Sequence, residues 1–347
     1  MNLKNHTLDE LQAALQPLGV PEKQVRQLMA RVLGRELPLE GLKGLSKVRQ
    51  ALLEQRTVIP RLELVEKVVS ATDGFTKFLF KTHDGHFVEA VRIPLLAHRF
   101  SVCISSQVGC ALGCTFCATG KLGFRRNLEA WEMIDQVLQV REGAERPVTG
   151  VVFMGQGEPF LNYDNVLKAA AIMKSPTGLS IAAEAITIST AGILPRIRQY
   201  TAEGHPYRLI VSLSAGTSET RRQIMPIEKK YPLDELIPAI GEYARARRTR
   251  ATIAWVAMKG INTTASELQA LKARLGDIPI RFNLIEVNDP EGQFVAPVGE
   301  DFRAFVDELQ QLQVPIARRY TGGKDIEAAC GRLASTRQSP LEAELSV

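Results

Sequence analysis

No apolar run in this chain approaches the roughly 18 residues needed to cross a bilayer. The start, Met1-Asn2-Leu3-Lys4-Asn5, lacks the apolar stretch of a secretion signal, so a cytoplasmic protein without a membrane partner is expected. Cysteine is scarce: five in 347 residues, an odd number with three crowded together. That pattern argues against a disulfide framework and for metal-binding or reactive thiols in a reducing compartment. Histidine is absent between His98 and His205. Neither sign of charge dominates, because 43 Lys and Arg against 38 Asp and Glu leave a net +5, which permits an RNA partner without establishing one. Internal repeats and low-complexity segments are also missing. What remains, 45% hydrophobic residues, suffices for one large buried core and a smaller unit.

The hydrophobic pattern changes twice along the chain. Leu8, Leu11, Leu15 and Leu18 share a helical face, Val25, Leu28, Met29 and Val32 share another, and a third helix is predicted over 45–54, with Pro38 and Pro60 as punctuation. Residues 62–70, 77–82 and 87–93 then read as extended, with Asp73-Gly74 and Asp84-Gly85 at the turns of a small antiparallel sheet. Beyond them, apolar strands at 101–105, 148–154, 185–189, 208–213, 252–258 and 281–287 alternate with helical stretches such as 128–141, 233–245, 267–275 and 302–312. The alternation predicts an α/β fold of parallel strands with helical crossovers, a partial (βα)6 barrel, although a doubly wound open sheet shares the pattern. The expected units are a helical domain over 1–58, a β extension over 59–99, a core over 100–334 and a polar, flexible tail over 335–347 that contains Pro340.

Cys110, Cys114 and Cys117 dominate the functional reading. Three thiolates on a 4Fe-4S cluster leave one iron open to an outside ligand. Zinc is the competing reading and wants a fourth ligand, and unrelated thiols are a third. In barrels of parallel strands, function gathers where strands end. Met154-Gly155-Gln156-Gly157-Glu158-Pro159 falls there, with glycines that let backbone approach a ligand and a carboxylate able to meet a cationic amino group. Ser189-Thr190 and Ser212-Leu213-Ser214 close two further strands, where hydroxyls bond a ribose or carboxylate or simply cap helices. The Cys-x3-Cys-x2-Cys spacing resembles the signature of radical S-adenosylmethionine (SAM) enzymes, in which the amino and carboxylate groups of SAM take the open iron. The 154–159 turn is similar to their glycine-rich SAM-contacting segment.

Two more cysteines sharpen the likeness: Cys103, within the first barrel strand, and Cys330, in Gly322-Gly323-Lys324-Asp325-Ile326-Glu327-Ala328-Ala329-Cys330-Gly331. With Ser105-Ser106-Gln107-Val108-Gly109-Cys110, Gly123-Phe124-Arg125-Arg126-Asn127-Leu128, Pro226-Ile227, Lys229-Lys230-Tyr231 and Asn283-Leu284-Ile285, the chain resembles the RlmN/Cfr family of radical SAM RNA methyltransferases over about residues 63–333. The resemblance implies a radical SAM barrel, one 4Fe-4S cluster on Cys110, Cys114 and Cys117, and two SAM molecules per turnover. Adenine ring carbons are electron-poor, so polar methyl transfer to them lacks a nucleophile, and a radical route avoids that obstacle. In the family, the counterpart of Cys330 takes a methyl from one SAM. A 5′-deoxyadenosyl radical from a second SAM activates that methyl, the carbon adds to adenine, and the counterpart of Cys103 attacks the sulfur, leaving a disulfide for later reduction.

Further roles implied by the resemblance are a proton acceptor at Glu89 and SAM contacts at Gly157, Glu158, Ser189, Ser212, Leu213, Ser214 and Asn288. Two departures touch this set. The family commonly has His after the Ser-Leu pair, where this chain has Ser214, and a Pro-aromatic-Asn-Pro element, where it reads Glu286-Val287-Asn288-Asp289-Pro290. The implied substrate is an adenosine in 23S ribosomal RNA, methylated at C2, with tRNA as a second target, no DNA, and flavodoxin or ferredoxin as electron donor. Arg125-Arg126, Arg221-Arg222, Lys229-Lys230, 245–250 and Arg318-Arg319 are expected to track phosphate at the barrel mouth. A C8-specific methyltransferase of the same family, a glycyl-radical activase and a non-catalytic iron–sulfur RNA-binding protein are the alternatives.

Overall fold

The computed structural model describes residues 1–34, 44–96, 98–289 and 291–333, so the expectations for Pro38, Pro290 and the 335–347 tail lie outside the described residues. The chain opens with α1 (Leu8–Leu15), α2 (Glu22–Gly34) and α3 (Lys47–Arg56). Thr7 and Glu10 form a reciprocal capping box that fixes the start of α1 by satisfying its free N–H groups. Leu11, Leu15, Val25, Leu28, Met29 and Val32, the faces anticipated from the sequence, are buried in an apolar core continuous with that of the barrel.

Three antiparallel strands follow, β1 (Glu63–Val69), β2 (Thr76–Lys81) and β3 (Phe87–Leu95). Next comes β4 (Arg99–Ile104), then a hairpin of β5 (Gln107–Gly109) and β6 (Phe124–Asn127) that brackets the short helix α4 (Ala118–Lys121). The remaining units are α5 (Ala130–Arg141), β7 (Val148–Phe153), α6 (Tyr163–Lys174), β8 (Ile186–Thr190), α7 (Leu194–Glu203) and β9 (Arg208–Ser212). They continue through α8 (Ser218–Ile224), α9 (Leu233–Ala246), β10 (Ala251–Ala257), α10 (Ala265–Leu275), β11 (Ile280–Glu286), α11 (Gly299–Gln310) and β12 (Ile316–Arg318).

The main sheet has ten strands in the order β1-β2-β3-β4-β7-β8-β9-β10-β11-β12. Pairing is antiparallel up to β4 and parallel from β4 to β12. The six parallel strands foreseen in the sequence are present within one or two residues of their expected limits, and β12 adds a seventh. The order never reverses, so the sheet has no topological switch point and is not doubly wound. The antiparallel strands are not a separate sheet, as the sequence suggested, because β3 bonds directly to β4. Large apolar side chains such as Val102, Ile104, Phe153, Ile188, Val211 and Trp255 point to the helical layer. On the alternate positions stand Cys103, Ser189, Ser212 and Ala254, which leave the inner face open and partly polar.

Candidate active site

Every expected site residue except Glu89 sits at or just beyond the carboxyl end of a barrel strand or in the Cys330 segment. Cys110, Cys114 and Cys117 lie in the loop between β5 and α4. Gly109 opens this loop with φ +71°, and a Cβ there would lie 1.8 Å from the Gly123 carbonyl that receives Cys110 N–H, so only glycine allows the hairpin to close. Cys114 and Phe116 pack on Ala215, Ile224, Met225, Met258 and Val287, which lays the loop across the mouth.

The donor set fits an iron–sulfur centre. Burial pushes the Cys110 thiol up to about 12 and raises Cys114 and Cys117 as well, and the neighbouring thiols add to each shift. A cationic iron centre relieves that arrangement. Leu112 N–H points at Cys110 Sγ, and Thr119 and Gly120 N–H point at Cys117 Sγ, as thiolate ligands require. Among the described residues, no three His, Cys, Asp or Glu side chains converge on a single ion-sized position.

Cys330 is brought to this loop by the chain after β12. Ala118 N–H donates to the Gly331 carbonyl at 2.8 Å, and the Thr119 hydroxyl donates to the Leu333 carbonyl. Cys103 and Cys330 line one cavity of about 30 Å³ with Phe75, Val91, Met154 and Thr321. Both thiols are free. Burial, then the proximity of Cys330, pushes Cys103 up to about 12.

Glu89, 3% exposed, stands on β3 two residues from Val91, the strand partner of Cys103. Burial pushes its carboxyl up to about 7, while Lys77, 3.5 Å away, opposes the rise and Glu327 adds to it. Gln156 Nε2 lies 3.5 Å from the other oxygen. Glu89 is thus a carboxylate poised to change charge near neutrality.

The loops at the ends of β7 to β9 are tied together by buried hydrogen bonds. Gly157 has φ +99°, and a Cβ there would lie 2.5 Å from Gln107 Cβ, so the 154–159 turn needs glycine to pass under β5. Glu158 is fully buried and its oxygens accept Phe160 N–H at 2.9 Å and Ala191 N–H at 2.7 Å. Burial still pushes it up to about 7, against those two donors. The sequence suggested a carboxylate free to meet a cation, and the structure instead commits it to clamping the β7 and β8 ends. Ser189 and Ser212 are half-buried on the inner face. Ser214 departs from its expected place: it is fully buried at φ +54°, and its hydroxyl accepts Val256 N–H at 3.1 Å rather than facing the mouth. Leu213 is buried outward in the core. The Asn288 amide donates to its own neighbour, the Glu286 carbonyl, at 2.8 Å.

The basic clusters are corrected most. Arg221 is 0% exposed and donates to Glu228 at 2.7 Å and to the Ala191 carbonyl at 2.7 Å, so it braces the mouth from within. Arg126 is held by Asp84 and Glu132. Residues 245–250 run from the last turn of α9 to the start of β10 and lie at the opposite end of the strands from the thiols, since a helix-to-strand return reaches the amino end of the next strand. Arg318 and Arg319 do reach the mouth, and Arg319 Nη1 donates to Met154 Sδ at 2.7 Å. Sequence reasoning missed Lys77 and Gln156 beside Glu89. It also missed Glu267, which accepts from Gly216 and Thr217 N–H at 2.6 and 3.0 Å and fixes the turn after Ser214. The Gly216-Thr217 sequence ahead of α8 was the available signal, because that helix start needs an acceptor.

Comparison with known proteins agrees with this geometry. The Radical SAM superfamily model matches residues 104–268. A probable RNA methyltransferase of Myxococcus xanthus is 50% identical over 97% of this chain and 95% of its own length. The dual-specificity RNA methyltransferase RlmN of Syntrophobacter fumaroxidans is 39% identical over 96% of this chain and 98% of its own. The crystal structure of a radical SAM methyltransferase from Sphaerobacter thermophilus superposes with a TM-score of 0.89 at 35% identity, covering 96% of this chain and 99% of that one. With likeness of this degree from end to end, the chain belongs to the RlmN/Cfr family of radical SAM RNA methyltransferases.

Proposed function

We propose that the protein methylates C2 of an adenosine in 23S ribosomal RNA, with tRNA as a second substrate, through S-methylation of Cys330. The observation that carries the reading is the shared cavity of Cys103 and Cys330, docked by the Ala118–Gly331 bond onto the Cys110–Cys117 loop. An activase that only generates a radical has no use for a second pair of thiols there. Relatives named dual-specificity RNA methyltransferase support RNA as the substrate class.

Cys110, Cys114 and Cys117 hold the cluster, and the backbone of the 154–158 turn, Ser189 and Ser212 line the SAM side of the mouth. Cluster and SAM, when bound, supply one-electron cleavage of the sulfonium and hence hydrogen abstraction from a methyl group. Cys330 carries that methyl, taken from a first SAM by displacement at carbon with S-adenosylhomocysteine leaving. Glu89 in its ionised form accepts the proton from the adenine carbon. The unpaired electron left on the ring once the carbon has added would pass back to the bound cluster. The Cys103 thiolate then attacks Cys330 Sγ, so that the S–S bond forms as the S–C bond to product breaks, and the electron pair left on the methylene carbon takes up a proton to complete the methyl group. A thiol reductant restores the pair. The electron entering at each cleavage comes from a flavodoxin or ferredoxin. The helical unit over 1–58 grips the folded RNA.

Anaerobic reconstitution with iron and sulfide, followed by methyl-labelled SAM and ribosomal RNA fragments, tests the proposal. Label appears first on Cys330 and then in RNA, and mass spectrometry of digested RNA assigns C2. Product formation by Cys330→Ala overturns the thiol route, and label at C8 overturns the regiochemistry.

A further inference from the structure

Two cavities share a wall at the ends of β11 and β12. The inner one, which holds Cys103 and Cys330, measures about 30 Å³. That is room for about one or two waters, not for a nucleobase. The outer one measures about 520 Å³, within the size range of nucleotide-type ligand sites, and opens to solvent. Arg319, Tyr320 and Thr321 line both. The outer pocket is built from β11, β12 and the β1–β2 turn, so it approaches the thiols from the side away from the β7 to β9 loops assigned to SAM.

Its chemistry is that of a strand-binding site. Tyr320 is 70% exposed, a large aromatic left in solvent beside the reaction cavity. The ring is held in place, because its hydroxyl donates to Asp73 Oδ2 at 3.1 Å and it leans on Phe75 with centroids 6.1 Å apart. Asp73 also accepts Gly323 N–H at 2.8 Å, which ties the loop to the same anchor. Lys324 Nζ reaches Glu286 at 2.9 Å and Arg318 shares that carboxylate, so one anion orients two cations; with Arg319 and Asp73 on the same lining, three cations face two anions. On the common wall, Thr321 Oγ1 is buried without a hydrogen-bond partner. A buried hydroxyl without a protein partner is completed by a water or a ligand.

We propose that this outer pocket receives the extruded purine nucleotide of the RNA strand. Tyr320 stacks on the base, Arg318 and Lys324 take flanking phosphates, and Thr321 Oγ1 bonds the base edge on its way to Cys330. The inference rests on the RNA methyltransferase reading and adds where the nucleotide is captured.

Binding of a fluorescein-labelled hairpin RNA with a loop adenosine, measured across a salt series on the reconstituted holoenzyme, tests it. Loss of one base stack is expected to weaken binding about 5- to 100-fold in Tyr320→Ala, with Tyr320→Phe close to wild type. The double variant Arg318→Ala/Lys324→Ala lowers the slope of log affinity against log salt by about 0.7 for each phosphate no longer neutralised. Thermal unfolding of each variant shows that the fold persists. Should wild type transfer label to RNA while both variants bind with its affinity and salt slope, the pocket assignment is wrong and the parent reading stands. If wild type transfers no label to RNA, the parent reading falls and takes this inference with it.

Discussion

The Gly331 carbonyl accepts the Ala118 amide at 2.8 Å, which joins the Cys330 segment to the residue directly after Cys117. A thiol more than 200 residues from the cysteine loop in sequence is thereby set by the same backbone contact that shapes that loop. The register of the two segments is fixed by main chain, so it does not depend on any side chain that a ligand displaces.

Thr119 supports that junction through its hydroxyl bond to the Leu333 carbonyl. Thr119→Val removes it at a net cost of about 1 kcal/mol. The expected result is faster proteolytic cleavage near 324–333 and slower S-methylation of Cys330, with the melting temperature almost unchanged. Limited proteolysis followed by mass spectrometry checks it.

Glu89 predicts an acid limb in the pH profile. Burial raises its carboxyl from an ordinary 4.5 to about 7, so below that pH it is protonated and cannot accept a proton. Turnover should fall by about tenfold per pH unit below neutrality and the limb should vanish in Glu89→Gln. Lys77→Met removes the opposing cation and moves the limb upward. The stability effect has the opposite sign: the group's contribution is fully present below about 4.5 and is lost as pH rises through about 7. Glu89→Gln should therefore gain thermal stability relative to wild type at pH 8 but not at pH 5.

Lys4 and Asp135 form an ion pair at 2.5 Å with both side chains out of solvent, and Leu62 N–H and Gln139 also bond that carboxylate. Removing the cation leaves a buried charge, so Lys4→Met is expected to cost about 3–5 kcal/mol. Denaturant unfolding of the full chain measures it, and a loss under 1 kcal/mol contradicts the account.

Gly322 touches the ring beneath Tyr320: a Cβ there would lie 2.3 Å from Phe75 Cε2 and 2.6 Å from Asp73 Oδ2. Gly322→Ala must push the Cys330 segment outward. We expect methyl transfer to RNA to drop more than about tenfold for an overpacking cost of about 1–3 kcal/mol. Steady-state kinetics beside calorimetry separates the two.

The parallel core was legible because its strands read as short apolar runs bounded by turns, as at 148–154 and 252–258. β12 was not, since Ile316-Ala317-Arg318 is three residues long with one apolar branched side chain. The cysteine triad was legible through local spacing. Arg221 was misread because a pair of arginines looks like surface charge until Glu228, seven residues on, is seen folded back against it. Lys77 and Gln156 left no local mark: each acts on Glu89, at least 12 residues distant in sequence, and only the register of β2 with β3 and the closure of the barrel bring the groups together.

The segment bearing Cys330 follows every barrel strand, so translation delivers it after the cysteine loop and the sheet beneath it. Until it docks, Ala118 N–H has no acceptor there and the three thiols face an unroofed mouth. On the proposed assignment of a cluster to Cys110, Cys114 and Cys117, its delivery is expected to be easiest before the Cys330 segment arrives. A truncation before this segment should load iron and sulfide readily and lose it readily to oxygen.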